Sequence, residues 1–172
     1  MLKRICVFFT AVTLLLSSCE YIAYKDYYDE TDYENIWNLS GFNHGYDGVS
    51  TFFPQQIEEL EILEFFCRYD QQLPLGEGLQ ILLKVYYGDE EAFLKEVERV
   101  SLQSTNSSDQ FPQTEFLAYS TRLGGKYGSE YALIDMDQKI VYYVYLQNLP
   151  KSEIEFSHHL LPKGYTDYGE IK

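Results

Sequence analysis

The sequence predicts an α+β domain in which a mostly antiparallel sheet of about five strands carries one helix on a face. The segment from Leu79 to Tyr87 alternates between inward and outward side chains, which is typical of a strand. The segment after Gly88 instead repeats apolar residues at helical spacing. Mostly short connections favour antiparallel pairing, so the predicted element order is β-β-α-β-β-β.

The first two predicted strands flank a loop, residues 71–78, that is rich in Pro and Gly. The first strand covers residues 62–69, and one of its faces carries Leu63, Phe65, Cys67 and Tyr69. The second strand covers residues 79–87, and its inward residues are Leu79, Ile81, Leu83, Val85 and Tyr87.

The predicted helix begins after Asp89, whose side chain is a suitable N-cap. Glu90 and Glu91 then suit the positive end of the helix dipole, and Glu91 also forms an i, i+4 pair with Lys95. The apolar residues expected to face the sheet are Phe93, Val97 and Val100.

Three further strands are predicted at residues 115–122, 131–134 and 139–147. The last two are joined by residues 135–138, whose composition is typical of a tight turn. The strand at 139–147 is apolar on both faces, which places it in the centre of the sheet. The chain after Pro150 is predicted to form one weak helical turn and then coil.

The N-terminal segment has the features of an export signal. Lys3 and Arg4 precede an apolar run, residues 5–16, of twelve residues. A helix needs roughly 20 apolar residues to span a bilayer. A short run with a basic start and small residues at its end is typical of a cleaved signal peptide, here residues 1–18.

The end of this segment, Leu16-Ser17-Ser18-Cys19, resembles the lipobox of bacterial lipoproteins. The resemblance implies a diacylglyceryl group on the sulfur of Cys19 and cleavage in front of it. Cys19 would then hold the protein on the extracytoplasmic side of the cell membrane, because two acyl chains anchor far more durably than one. The alternative is an ordinary secretory signal whose last residue happens to precede a cysteine.

A second resemblance covers most of the chain past residue 50. The motifs that carry it are Phe53-Pro54, Phe116-Leu117-Ala118-Tyr119, Glu130-Tyr131-Ala132-Leu133-Ile134-Asp135, Ile140-Val141-Tyr142 and Leu161-Pro162-Lys163-Gly164-Tyr165. Together they are similar to uncharacterised exported lipoproteins of low-GC Gram-positive bacteria. These motifs are structural in kind, and no catalytic residue follows from the resemblance.

Residues 19–50 are acidic and rich in Tyr, and they show no helical or alternating apolar period. They are therefore predicted to be a tether, with Ile36-Trp37 as a segment that docks on the single globular domain at residues 51–172. The net charge is −14, and it becomes −16 without residues 1–18, which contain Lys3 and Arg4 but no acid. Such acidity argues against nucleic-acid binding. It also predicts that the domain stands off an anionic membrane on its tether.

Few residues suggest a catalytic or metal-binding role. Cys67 would be the remaining thiol of the mature chain, and its apolar strand favours a buried core residue over a reactive one. His158 and His159 are adjacent and diverge on any regular element, which favours a surface pair over a metal site.

Two further segments share only part of the pattern of a ligand-binding loop. The acids at positions 26, 29, 30 and 32 lack the glycine turn and spacing of a calcium loop, so a solvated tether is favoured. Residues 124–129 have a lysine before the last glycine, followed by a strand, which favours a hairpin loop over a phosphate loop. The sequence identifies no catalytic, cofactor-binding or metal-binding residue.

Aromatic residues are the remaining feature, because 17 Tyr and 11 Phe exceed what a core of this size needs. One hypothesis is an exposed platform for a protein or glycan partner, formed by Tyr86, Tyr119, Tyr143 and Tyr145. The other is a second layer of chain that covers this face. The function expected from the sequence is a lipid-anchored, non-catalytic binding module of the cell envelope. The alternatives are an exported hydrolase-like enzyme with a carboxylate-based site, or an inhibitor-like or structural lipoprotein.

Overall fold

The structure is a computed structural model that describes residues 22–39, 52–72, 76–105, 111, 115–123 and 128–166. Its strands are β1 Ile22–Tyr27, β2 Glu61–Gln72, β3 Gly76–Tyr86, β4 Leu117–Arg122, β5 Ser129–Asp135 and β6 Ile140–Gln147. The main helix, α1, is Glu90–Gln103. All six strands form one antiparallel sheet in the order β1-β2-β3-β6-β5-β4. The α+β class is therefore confirmed, with one strand more than the sequence predicted.

The additional strand is β1, which lies inside the segment predicted to be a tether. It pairs with β2 from Ile22 opposite Gln72 to Tyr27 opposite Cys67. Arg68 reinforces this pairing, since its Nε donates to a carboxylate oxygen of Asp26 at 2.8 Å. An edge strand exchanges hydrogen bonds on one side only and needs little apolar patterning, which explains why periodicity did not reveal it.

A 3₁₀ helix, Glu30–Asn38, follows β1 and also belongs to the packed domain. Its N-cap is Asp29, whose side chain accepts a hydrogen bond from the Thr31 backbone at 2.9 Å. Tyr33 and Ile36 are buried in the core, and Trp37 packs against it. The Tyr33 hydroxyl donates to the Pro54 carbonyl at 2.6 Å. The predicted docking of Ile36-Trp37 is thus confirmed.

Helix α1 covers one face of the sheet as predicted. The Asp89 side chain accepts a hydrogen bond from the Ala92 backbone at 2.8 Å, so it is the N-cap. Phe93 and Val100 are buried in the first core, and Val97 packs against it. From β3, this core takes Leu79, Ile81, Leu83 and Val85, in agreement with the alternation in the sequence.

The opposite face of the sheet is covered by the C-terminal segment, which contains the 3₁₀ turns Lys151–Glu153 and His158–Leu160. This segment contributes Ile154, Phe156, Leu160, Leu161 and Tyr165 to a second core. Its other buried members are Phe66, Leu82, Phe111, Ala118, Tyr131, Leu133, Val144 and Leu146. The sequence predicted coil here, and the chain is indeed irregular, but it forms a full layer over the sheet.

Of the two hypotheses for the aromatic residues, the exposed platform formed by Tyr86, Tyr119, Tyr143 and Tyr145 is wrong. Tyr143 and Tyr145 are fully buried in the first core, on the same side as α1, and Tyr119 packs against that core. Strand β6 lies between β3 and β5, and it is buried on both faces as predicted for a central strand. When both faces of a strand are apolar, sequence alternation alone cannot say which face meets the helix.

Candidate functional site

Cys19, the predicted lipid-anchor residue, lies outside the described residues, so lipidation stays a prediction. In the described part of the chain, no helix has the length and apolar character needed to cross a membrane. Nor do three His, Cys, Asp or Glu side chains come together there as a potential metal site.

One surface feature among the described residues is an acidic groove between the 3₁₀ helix, residues 55–60 and the start of β2. Three adjoining cavities of about 410, 280 and 460 Å³ form it. The first and second cavities share Ile62, and the second and third share Glu58 and Leu60. The apolar lining residues are Ile57, Leu60, Ile62, Leu63 and Phe65, and the acidic ones are Asp29, Glu34, Glu58, Glu59 and Glu64.

A β-bulge shapes the apolar side of this groove. The pairing of β2 with β3 shifts register between Ile62 and Glu64, so Leu63 has no direct partner. Its side chain is 47% exposed, although the alternation in the sequence placed it with the core residues Phe65 and Cys67. Bulges re-aim side chains and are frequent beside functional sites. Here the bulge moves a leucine from the core to the groove.

The groove is uniformly negative. Asp29 has its pKa lowered by hydrogen bonds from Thr31, so its carboxylate is ionised at neutral pH. The side chains of Glu34, Glu58, Glu59 and Glu64 are exposed, and no Lys or Arg is among the described lining residues. A groove lined by both apolar and acidic side chains suits a ligand that is both cationic and apolar.

A second polar cluster, the helix clamp, lies between α1 and the sheet and consists of Tyr87, Glu96, Arg99 and Tyr143. The Tyr87 and Tyr143 hydroxyls are 2.8 Å apart, and Tyr143 donates to Glu96 Oε1 at 2.5 Å. Arg99 donates through Nε to Glu96 Oε2 at 2.8 Å. Burial raises the pKa of both tyrosines, which therefore stay protonated and available as donors.

The helix clamp also positions the segment that leads into the groove. Arg99 donates to the Phe52 carbonyl at 2.5 Å, and the Phe52 backbone N–H donates to the buried carboxylate of Glu130 at 3.1 Å. Thr121 donates to the other Glu130 oxygen at 2.8 Å. Because these groups satisfy one another, the cluster serves to hold chain segments together.

The other residues considered from the sequence are structural where the structure describes them. Cys67 is buried in the first core as predicted. His158 and His159 are exposed, and the His159 ring stacks on Phe116. Asp26 pairs with Arg68, and Asp32 accepts from Asn35, so these acids belong to the fold. Residues 124–127 lie outside the described part.

Sequence reasoning missed the groove. The run Gln56-Ile57-Glu58-Glu59-Leu60 mixes apolar and acidic residues, and this mixture is the local signal for one wall of the groove. The second wall comes from residues 28–34, which the sequence assigned to a tether. Comparison with protein-family models, with curated proteins and with solved structures finds no match for this chain.

Proposed function

We propose that this protein is a lipid-anchored binding module on the extracytoplasmic side of the cell membrane, and that its acidic groove binds a cationic amphipathic polypeptide segment. The observation that carries the proposal is the combination of apolar lining residues, including the exposed Leu63, with five acidic residues in one groove. The lipobox resemblance of Leu16-Ser17-Ser18-Cys19 supports the anchor.

Charge complementarity selects this class of ligand. Nucleic acids and other polyanions are repelled by the groove, and a purely polar cation would leave its apolar lining residues exposed to water. A polypeptide with Lys or Arg on one face and Leu or Val on the other satisfies both halves of the surface. Charge should then govern the association rate, while burial of apolar side chains provides affinity that remains in salt.

Binding is tested with three synthetic peptides on the protein produced without residues 1–18. One peptide is an amphipathic Leu/Lys helix, one replaces every Leu by Ser, and one replaces every Lys by Glu. The Leu/Lys peptide should bind at least about tenfold more tightly than either other peptide, equivalent to about 1.4 kcal/mol. Fluorescence anisotropy at low and physiological salt gives the affinities.

Matched variants locate the site. Leu63→Ser and Glu58→Lys should each weaken binding of the Leu/Lys peptide several-fold. The controls Leu102→Ser and Glu98→Lys make the same chemical changes on the exposed surface of α1 and should leave the affinity unchanged. Equal losses in Glu58→Lys and Glu98→Lys would mean that only the overall charge attracts the peptide, and the groove proposal would be wrong.

A further inference from the structure

The start of β1 lies at one end of the sheet, beside the hairpin formed by β2 and β3. Ile22 pairs with Gln72, the last residue of β2, and Gln72 also pairs with Gly76, the first residue of β3. Strand β6 ends earlier, because its last residue Gln147 pairs with Leu79. Ile22 therefore lies at the outermost level of the hairpin, which we call the hairpin end of the sheet.

The chain between the predicted anchor and this end is short. Two residues, Glu20 and Tyr21, lie between Cys19 and Ile22, and the three residue steps of a fully extended chain span at most about 11 Å. The opposite end of the sheet is much farther away, because the 12 residues of β2 extend over roughly 35–40 Å. An anchor at Cys19 therefore lies close to the hairpin end. The opposite end could meet the same membrane surface only if the domain lay on its side.

Charge differs sharply between the two ends. At the hairpin end, the charged residues within two positions of a described strand terminus are Glu77, Arg122 and the buried acids Asp70 and Glu130. The opposite end, which we call the acidic end, carries ten acidic residues in or next to its strand termini and turns. They are Asp29, Glu58, Glu59, Glu61, Asp89, Glu90, Glu91, Glu115, Asp135 and Asp137. Three bases lie among or beside them. Lys139 pairs with Glu90 and Lys95 pairs with Glu91, each at 2.7 Å, and Lys84 is near the end of β3.

We propose that the hairpin end lies against the lipid surface and that the acidic end, with the groove, points away from the membrane. The proposal rests on the lipid anchor at Cys19 that is part of the proposed function. It replaces the expectation that a tether of residues 19–50 holds the whole domain at a distance, since β1 leaves only residues 19–21 as a connection.

Electrostatics favours the same orientation. Bacterial and other anionic leaflets attract basic segments and repel acidic ones within about one Debye length, roughly 8 Å at physiological salt. With the hairpin end at the surface, the ten acids of the acidic end lie several Debye lengths away. If the domain lay on its side or were inverted, many of these acids would enter the repulsive layer. The short connection and the charge distribution therefore select one orientation.

The test uses the full chain, processed in a bacterial host and reconstituted in vesicles of phosphatidylethanolamine and phosphatidylglycerol with a headgroup spin-labelled lipid. A fluorophore is attached to Gln72→Cys at the hairpin end or, as the matched control, to Asp137→Cys at the acidic end. The Gln72→Cys label should be quenched at least about threefold more strongly, because the two positions differ by roughly 35–40 Å along the strands. Equal quenching, or stronger quenching of the Asp137→Cys label, would overturn the orientation.

Two controls separate failure of the orientation from failure of the anchor. The parent chain should take up no label and should float with the vesicles, because Cys67 is buried and Cys19 would be acylated. Labelling of the parent at Cys19, or loss of flotation, would overturn both the anchor and the orientation. A flexible Gly-Ser insert between Glu20 and Tyr21 should remove most of the difference in quenching, whereas an unchanged difference would overturn the role of the short connection.

Discussion

At the residue scale, Asp70 is a buried acid with an incompletely satisfied carboxylate. Its Oδ1 has no hydrogen-bond partner among the described residues, and the residue is 3% exposed. Burial raises the pKa of this carboxyl, and the nearby Arg68 guanidinium only partly opposes the effect. Ionisation of Asp70 therefore weakens the fold at neutral pH.

Asp70→Asn should stabilise the protein at pH 7, by about 1 kcal/mol if the asparagine relieves one buried unsatisfied group. Because the folded-state pKa of Asp70 is raised, the destabilisation caused by its ionisation is absent below the ordinary value of 3.8. This destabilisation grows as pH rises through the folded-state pKa. The stabilisation should thus disappear on acidification. Thermal unfolding followed by circular dichroism from pH 7 to pH 4 measures it.

The matched control is Asp137→Asn, which removes an equal charge from an exposed position in the β5–β6 turn. It should change the midpoint of unfolding little at any pH. If both variants stabilise equally, the gain comes from reducing net charge and not from the burial of Asp70.

At the element scale, the helix clamp decides how α1 sits on the sheet. Glu96 is 12% exposed and Arg99 is 33% exposed at the side chain, and together they join the helix to Tyr143 of β6 and to the Phe52 carbonyl. Removing Arg99 leaves a largely buried carboxylate without its cation. Such a change is more destabilising than the loss of a surface pair.

Arg99→Met should therefore lower the free energy of unfolding by about 2 kcal/mol, less than for a fully buried pair because solvent screens part of the interaction. Lys95→Met breaks the exposed Glu91–Lys95 pair on the same helix and should lower the free energy of unfolding by less than about 0.5 kcal/mol. Urea unfolding of both variants gives the two values. Similar losses would show that the clamp contributes no more than an ordinary surface ion pair.

The elements also differ in how well the sequence predicts them. Strands β3 and β6, helix α1 with its Asp89 cap, and the β5–β6 turn follow local rules and were predicted. In the turn, Asp135 Oδ1 accepts from the backbone of Asp137 and Gln138 at 3.1 and 2.9 Å. Strand β1 and the C-terminal layer were not predicted, because each is stabilised by chain segments far away in sequence.

At the scale of the whole molecule, repulsion among acids opposes the fold. The net charge is −14, and ten acids lie close together at the acidic end. Like charges held together in the folded state repel more strongly than in an unfolded chain. Salt screens this repulsion.

The midpoint of thermal unfolding should therefore rise between 10 mM and 150 mM NaCl, by about 2–4 °C for each 1 kcal/mol of repulsion relieved. Differential scanning calorimetry of the chain without residues 1–18 measures the change. Combined replacement of Glu59, Glu61 and Glu115 by Gln should reduce the salt effect. A midpoint that falls with salt would mean that attractive ion pairs outweigh the repulsion.

The candidate site shows the same division between local and distant information. The acidic and apolar composition of residues 56–60 can be read from the sequence. The opposite wall, the bulge at Leu63 and the distance of the groove from residue 22 depend on the pairing of β1 with β2 and of β2 with β3. No local pattern encodes these partners.

The sequence by itself determined the α+β class, the alternation of β3, the capped helix α1, the central position of β6 and the strong net negative charge. These features depend on neighbours within a few residues or on composition, so local stereochemistry and patterning suffice. Only the tertiary structure decided that the presumed tether contributes an edge strand, that Tyr143 and Tyr145 lie beneath the helix, and that the acids gather at one end of the sheet. Those outcomes depend on which distant segments bury one another's apolar surface, and this is determined by the chain as a whole.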